Sequence, residues 1–123
     1  MKIAFLFLTI DDIYFPSIWE YYFKNNLKNI SIYCHPKYPE KIKTTWLKKN
    51  IITNLVPTKW GYFTNAIINL LKAALQDKEN TKFIIVSESC IPIKSFKTFY
   101  EFLSKDHINT SYIHLREFDD YNI

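Results

Sequence analysis

The stretch Phe83-Ile84-Ile85-Val86-Ser87-Glu88-Ser89-Cys90-Ile91-Pro92-Ile93 decides the fold of this chain. It opens with an unbroken run of apolar β-forming residues, and a compact polar group follows at Ser87. Continuous apolar runs are typical of strands buried on both faces of a parallel sheet. In open α/β sheets, ligands bind at the carboxyl ends of such strands. The stretch therefore predicts a buried parallel strand that ends in a ligand-binding group.

Strand patterns alternate with helical patterns along the rest of the chain. Strands are predicted within residues 1–10 and at 30–35, 51–56, 82–87 and 111–115. Helices are predicted from Pro16 to about residue 25, over 63–76 and over 96–103, with a short helix near 44–49 inside the loop-like segment 36–50. Strand and helix in repeated succession predict an α/β fold, a Rossmann-like three-layer parallel sheet.

Caps and periodicity define the helices. Pro16 suits the first position of a helix, and Ser95 is placed to cap the last one. The clearest apolar stripe has spacings of three and four residues, which predicts that this helix lies flat on the sheet. Its members are Phe63, Ala66, Ile67, Leu70, Leu71, Ala74 and Leu75.

Length and composition bound the possible functions. The 123 residues suffice for one domain, residues 1–123, and 48% of them are apolar, which is enough for a core. Gly61 is the only glycine, and this excludes glycine-rich phosphate loops. The net charge of +4 comes from scattered lysines with Arg116 as the only arginine, so nucleic acid is not expected as a partner.

Metal binding and membrane insertion are not expected either. Cys34 and Cys90 lie far apart, and the three histidines do not complete a metal-ligand spacing with them. The apolar run at residues 1–10 is too short to span a membrane and lacks the cleavage site of a signal peptide. The sequence thus predicts a cytoplasmic chain with reduced thiols and no membrane segment.

Polar residues follow several predicted strands at the point where each strand ends. They are Thr9 to Asp12, His35, Thr58 to Gly61, and Ser87 to Cys90. Parallel strands bring their carboxyl ends to one edge of the sheet, so we expect these residues to lie together. Their hydroxyl, imidazole and carboxylate groups could hydrogen-bond a base, a ribose and a diphosphate.

Each of these residues also has a purely structural interpretation. Asp11 and Asp12 are more typical of a turn and helix start than of a metal site. His35 can simply end a strand, and Trp60 with Gly61 can be core plus a tight turn. Ser87, Glu88 and Ser89 can cap a turn, while Cys90 can be an inert buried thiol, because no base is paired with it.

Two other α/β folds of this length fit the sequence poorly. A receiver domain needs an aspartate after the third strand, where this chain has Val56-Pro57-Thr58-Lys59, and a Lys-Pro pair after the fifth. A flavodoxin-like flavin binder needs a phosphate loop rich in Ser, Thr and Gly after the first strand. The residues there are Thr9-Ile10-Asp11-Asp12.

Blocks in the same order resemble the core-2/I-branching β-1,6-N-acetylglucosaminyltransferase family. The segment Ser87-Glu88-Ser89-Cys90-Ile91-Pro92-Ile93 is similar to the "SESCIPL" signature of its plant-type branch. The other matching blocks are residues 2–9, 16–23, 31–35, 60–61 with the helix at 70–75, and 96–103. The resemblance covers roughly residues 2–115, the amino-terminal half of such an enzyme.

The resemblance implies the amino-terminal part of a GT-A type glycosyltransferase fold that binds a UDP-sugar without a metal or other cofactor. The donor-site residues implied are Thr9, His35, Trp60, Gly61, Ser87, Glu88, Ser89 and Cys90. Animal members have aspartates at the positions of Cys90 and Pro36. Both departures are typical of the plant-type branch, and both count against acidic metal ligands here.

The resemblance also implies that part of the machinery lies beyond this chain. In the family, the acceptor site, the catalytic base and the basic residues that face the diphosphate follow the last predicted strand, and Glu88 is not the base. The chain is then the donor-binding half of an inverting transferase that acts on a glycan acceptor, or a catalytically inactive module that binds a nucleotide sugar or a protein. A sheet edge left open by an absent half would favour a homodimer.

Overall fold

Three parallel strands and four helices make up residues 1–113, the part of the chain that the computed structural model describes. The strands are β1 (Lys2–Thr9), β2 (Ile30–Pro36) and β3 (Asn80–Val86). The helices are α1 (Pro16–Phe23), α2 (Thr45–Lys48), α3 (Thr64–Ala74) and α4 (Phe96–Glu101). Short 3-10 turns lie at Leu27–Asn29 and Pro39–Lys41, and a π-helical turn lies at Phe102–Asp106.

Strand β1 occupies the centre of the sheet, whose order is β2-β1-β3. Ile3 pairs with Ile30 on one side and Lys82 on the other, and all pairs are parallel. The chain passes from the central strand β1 to β2 on one side and then crosses to β3 on the other side of β1. The strand order therefore switches at β1. The predicted α/β Rossmann-like fold is confirmed. The prediction of a fully buried strand at Phe83–Val86 is wrong, because β3 is the outer strand of the described sheet and the side chain of Ile85 is 51% exposed.

Alternate side chains of β1 form two separate cores, one on each face of the sheet. On one face the rings of Phe5 and Phe7 pack edge-on against α1, with 4.9 Å between the centroids of Phe5 and Phe23 and 5.3 Å between those of Phe7 and Trp19. On the other face the second core contains Ala4, Leu6, Leu70 and Ala74. The period of two along β1 therefore creates the three-layer arrangement.

Several predicted helix features are confirmed. Pro16 stands at the first position of α1, and α2 lies within the segment where a short helix is predicted. The Ser95 Oγ accepts a hydrogen bond from the Thr98 N–H at 3.2 Å, so Ser95 caps α4. The prediction for α3 runs too far, because the helix ends at Ala74 and the side chain of Leu75 is exposed.

The strand predicted over residues 51–56 is wrong. Only an isolated bridge forms there, where Ile51 meets Cys34 and the Ile52 N–H donates to the Cys34 carbonyl at 2.9 Å. The chain then leaves the sheet, because the Val56 N–H donates to a side chain rather than to a neighbouring strand. Pro57, which follows, has no N–H to continue a ladder.

The carboxyl-terminal predictions are tested only in part. Helix α4 passes into the π-helical turn at Phe102, within the range predicted as one helix. Residues 111–113 of the strand predicted over 111–115 are not part of a strand, and residues 114 and 115 lie outside the described part. The Lys82 Nζ instead donates to the carbonyls of His107 and Thr110, which ties this region to the start of β3.

The buried stripe of α3 should contribute strongly to stability. Leu70 is fully buried against β1, so we expect Leu70→Ala to lower the free energy of unfolding by about 2–5 kcal/mol. Ile68→Ala on the same helix is the matched control. Its side chain is 41% exposed, and we expect a loss below about 1 kcal/mol. Urea denaturation followed by circular dichroism measures both, and equal losses would contradict this packing.

Candidate functional site

The carboxyl ends of all three strands meet at one edge of the sheet, and the loops that follow them remain attached to one another. The Lys37 N–H donates to the Thr9 carbonyl, and the Tyr38 N–H donates to the Ile10 carbonyl, each at 2.9 Å. The loops after β1 and β2 therefore extend the parallel pairing beyond the regular strands. This pairing gives the edge an ordered backbone.

Residues 87–90 form a tight turn directly after β3. The Cys90 N–H donates to the Ser87 carbonyl at 3.2 Å. The Ser87 Oγ lies 3.3 Å from the Ser89 Oγ and 3.2 Å from the Cys90 Sγ, so two hydroxyls and a thiol form one small polar cluster. Ser89 and Cys90 are exposed, and the interpretation of Cys90 as a buried thiol is therefore wrong.

Helix α1 and the loop before it hold the backbone of the 87–90 turn. The Tyr14 N–H donates to the Glu88 carbonyl at 2.9 Å, and the Trp19 Nε1 donates to the Cys90 carbonyl at 3.0 Å. Nothing local in the sequence indicates the hydrogen bond of Trp19, because its partner lies 71 residues away. Because the carbonyls of Glu88 and Cys90 are hydrogen-bonded, the turn that carries these two side chains has a fixed backbone.

His35 lies at the end of β2, fully buried. Its Nε2 accepts a hydrogen bond from the Val56 N–H at 3.0 Å, which requires a neutral ring with the proton on Nδ1. Burial lowers the pKa of His35 from its ordinary value of 6.5. In this arrangement His35 holds the 51–56 segment against the sheet, and its predicted contact with a ligand stays a prediction.

Thr9 ends the central strand and is also buried. Its hydroxyl has no hydrogen-bond partner among the described residues. Thr9 and the Cys34 thiol belong to the face that carries α1, since Phe7 and Cys34 are paired and share one core. Burial raises the pKa of Cys34 to about 12, so this thiol stays protonated and unreactive.

Trp60 and Gly61 form the centre of a turn between residues 56 and 63. The Tyr62 N–H donates to the Lys59 carbonyl at 2.8 Å, and Gly61 has a φ of +78°, the left-handed conformation that a type II turn requires at its third position. The tight turn is confirmed. The interpretation of Trp60 as a core residue is wrong, because its side chain is 92% exposed.

The Trp60 turn and the 87–90 turn lie on opposite sides of β1. Residue Val56, bound to His35, brings the chain to the carboxyl end of β2, and α3 starts soon after at Thr64. Segment 57–63 therefore lies at the carboxyl edge on the β2 side. A cavity of about 300 Å³ there is lined by Pro57, Thr58, Lys59, Gly61, Tyr62, Thr64 and Asn65. The 87–90 turn occupies the same edge on the β3 side. Thr9 lies at the end of the strand between them.

Asp12 organises the loop that follows β2. Its Oδ2 accepts hydrogen bonds from the Lys43 N–H at 3.1 Å and the Thr44 N–H at 3.0 Å, as well as from the Thr44 hydroxyl. Its Oδ1 accepts one from the Ile13 N–H at 3.0 Å. The structural interpretation of Asp12 is confirmed, but the carboxylate fixes the start of α2 and not that of the following helix α1, which has no side-chain cap.

Comparison with known proteins identifies the family. The model of the core-2/I-branching enzymes matches residues 3–122. The chain belongs to this family. A glycosyltransferase from rice, "Glycosyltransferase BC10" of Oryza sativa subsp. japonica, is 28% identical over 120 residues, which cover 91% of this chain and 30% of the rice protein. This family member thus spans about a third of the curated relative's length, and no solved structure matches it significantly.

Two absences in the described part of the chain concern possible partners. No helix within residues 1–113 is long and apolar enough to cross a membrane. In the same part of the chain, no three His, Cys, Asp or Glu side chains cluster closely enough to hold a metal ion.

The buried neutral His35 predicts a specific pH dependence of stability. Its pKa is lower in the folded than in the unfolded chain, so the unfolded chain takes up the proton first and stability falls as the pH drops below about 6.5. The fall should stay under about 1.4 kcal/mol per pH unit. Urea denaturation between pH 7.5 and 5.5 measures it. His35→Leu, although less stable at pH 7.5, should show a smaller fall, and an equal fall in both proteins would contradict the assignment.

Asp12 should stabilise the domain more than its neighbour Asp11. Asp12→Ala leaves the N–H groups of Lys43 and Thr44 without their acceptor, and we expect a loss of about 1–3 kcal/mol in the free energy of unfolding. Asp11→Ala, the matched control, should lose less than about 0.5 kcal/mol. Thermal unfolding of both variants compares them, and a loss for Asp11→Ala as large as that for Asp12→Ala would contradict the role of Asp12.

Proposed function

We propose that this chain binds a UDP-sugar across the carboxyl edge of its sheet, as the donor half of an inverting β-1,6-N-acetylglucosaminyltransferase-type enzyme with a GT-A fold. The observation that carries the proposal is the 87–90 turn, an ordered polar turn at the end of the strand beside the switch in strand order. Ligands of open α/β sheets bind at this position. Membership in a glycosyltransferase family supports the chemical class of the ligand.

The proposed donor site uses the side chains that the turns present. The hydroxyls of Ser87 and Ser89 can donate to the diphosphate or the ribose, and Glu88 can accept from a sugar hydroxyl. On the β2 side, the exposed indole of Trp60 can stack on the base, with Gly61 shaping its turn. Exposed Cys90 completes the proposed set at the surface, and the buried Thr9 and His35 complete it from beneath, at the ends of β1 and β2. No metal or other cofactor is proposed.

Glycosyl transfer requires groups that the described residues supply only in part. Inverting transfer needs a base for the acceptor hydroxyl and positive charge or dipoles for the leaving diphosphate. The Asp12 carboxylate already accepts four hydrogen bonds from the chain, so it is not free to act as a base. A second candidate function is a catalytically inactive module that binds a nucleotide sugar or a partner protein, and Asp12 is not the base in either case.

Thermal unfolding of the full chain with UDP and UDP-sugars tests donor binding. A ligand that binds the folded state alone raises the melting temperature, and the rise grows with ligand concentration. Ser89→Ala should weaken binding about three- to tenfold, because it removes one hydrogen bond without disturbing the backbone of the turn.

Ser104→Ala is the matched control. Ser104 lies in the π-helical turn, near the amino edge that Tyr100 reaches through its hydrogen bond to the Met1 carbonyl. Its affinity for the nucleotide should equal that of the unaltered chain. The absence of any shift at millimolar UDP-sugar, or equal weakening in both variants, would overturn the donor site.

Turnover separates the two candidate functions. If the chain is a transferase, incubation with a UDP-sugar and a glycan acceptor releases UDP and lengthens the glycan. If it is an inactive module, the thermal shift occurs without release of UDP.

A further inference from the structure

Segment 53–58, which leads from the sheet to the next turn, has little buried surface to hold it in place. Most of its residues are exposed, and so are most of those in the turn that follows. Among the described residues, two hydrogen bonds join the segment to other elements. The Val56 N–H donates to the His35 Nε2 at 3.0 Å, and the Asn69 Nδ2 donates to the Asn54 carbonyl at 2.9 Å on the exposed surface. Segments with few buried contacts open locally at low free-energy cost, so the position of this one depends on the His35 bond.

Val56 and the Trp60 turn form one short, stiff unit. Pro57 has a fixed φ and restricts Val56, the residue before it, to extended conformations. The turn itself is closed by the Tyr62 N–H, which donates to the Lys59 carbonyl at 2.8 Å. A displacement of Val56 is therefore passed on to the indole of Trp60.

The His35 ring can hold Val56 only while the ring is neutral. Its Nε2 accepts the Val56 N–H and so has no proton of its own, which leaves the proton on Nδ1. The ring is fully buried, and the Nδ1 has no hydrogen-bond partner among the described residues. A second proton would create a buried cation and make Nε2 a donor that faces another donor. Protonation of His35 and the closed position of the segment therefore exclude each other.

The groups around His35 do not stabilise a cation there. Because Leu8 pairs with His35 and side chains alternate along a strand, the ring lies on the face of the sheet that carries α3. Asp11 and Asp12 follow β1, and four hydrogen bonds from the chain occupy Asp12. Burial lowers the pKa of His35, the direction expected where no carboxylate stabilises the charged ring. The other titratable groups on the elements around the ring are neutral or positive: Tyr33, Cys34, Lys37, Lys59, Tyr62 and Lys72.

We propose that His35 is a positioning residue, which holds the Trp60 turn at the carboxyl edge while its ring is neutral and releases the turn when the ring takes up a proton. The pH then governs the affinity for the nucleotide, because only molecules with the turn in place present the indole to the base. This effect on affinity rests on the proposed donor site, whereas the movement of the turn does not. The 87–90 turn is held separately by Trp19 and Tyr14, so binding is weakened and not abolished.

Titration of the ligand-free, ¹⁵N-labelled full chain from pH 7.5 to 5.0 tests the release of the turn. The amides of residues 56–61 should shift with one midpoint, below the ordinary histidine value of 6.5 and equal to the midpoint of the His35 ring. The amides of residues 87–90 should not follow that midpoint. A ring that titrates while the amides of 56–61 stay unchanged, or a ring that remains neutral at pH 5.0, would overturn the proposal.

The affinity for a UDP-sugar at pH 7.5 and 5.0 tests the consequence for binding. A UDP-sugar is the suitable probe because it lacks the terminal phosphate of UDP, a group of the kind that titrates near pH 6. For the unaltered chain, the dissociation constant should be about fivefold higher at pH 5.0. His35→Gln is neutral at both pH values and can offer an amide oxygen to Val56, so its dissociation constant should change less than about twofold.

His107→Gln is the matched control. The His107 carbonyl accepts a hydrogen bond from Lys82 near the start of β3, at the opposite edge of the sheet from the candidate site. This variant should keep the rise of about fivefold that the unaltered chain shows. Circular dichroism at both pH values establishes that each variant is folded.

His35→Leu separates positioning from charge. Leucine offers no acceptor to Val56, so this variant should bind the UDP-sugar more weakly than His35→Gln at pH 7.5. Equal affinities of these two variants, or a rise in the dissociation constant of His35→Gln as large as that of the unaltered chain, would overturn the proposal. If the chain binds no UDP-sugar at either pH, the donor site fails, and the amide titration alone decides the role of His35.

Discussion

Burial of strand β1 on both faces is the constraint on which the rest of the structure depends. Residues Ile3 to Phe7 are buried, and β1 pairs in parallel with β2 on one side and β3 on the other, so all three strands end at the same edge. Phe5 and Phe7 pack against the aromatic side chains of α1, while Ala4 and Leu6 pack against α3. The two helices therefore lie on opposite faces of the sheet. The candidate site is a consequence of this arrangement.

Polar contacts then give the loops at that edge their shape. The Trp19 indole and the Tyr14 N–H hold the carbonyls of the 87–90 turn, while Asp12 holds the start of α2. His35 holds Val56, and with it the chain that leads to the Trp60 turn. Each anchor ties a loop to the layered core, so side chains such as Ser89 and Trp60 are presented from ordered backbone. Supporting contacts of this kind hold side chains in a defined geometry, as a binding site requires.

The sequence predicted the elements whose patterns are local. The period of α3, the cap at Ser95 and the apolar runs of β1 and β3 each depend on neighbouring residues, and the structure contains all of them. The segment 51–56 has the composition of a strand but does not form one. The Val56 N–H donates to the buried His35 ring, and Pro57, which follows, has no N–H for a strand ladder. Composition alone does not reveal such competition.

The sequence was enough to predict that the candidate site residues follow the strand ends, but not how their side chains are arranged. Hydrogen bonds such as the one that the Thr44 N–H donates to Asp12, across 32 residues, leave no periodic signal in a sequence. Tryptophan is a residue type that is typical of cores, but the side chain of Trp60 is exposed because it lies in a turn in which Gly61 has the left-handed conformation. Family membership came from ordered motifs, and the family model matches nearly the whole chain.

Binding of the donor at the carboxyl edge is the central claim, and amide chemical-shift mapping with UDP tests it most directly. Titration of the ¹⁵N-labelled chain should shift the amides of residues 9–12, 58–61 and 87–90, with saturation at one common affinity. Amides at the amino edge, such as those of residues 77–81, should not move. Shifts confined to the amino edge, or no shifts at millimolar UDP, would contradict the account.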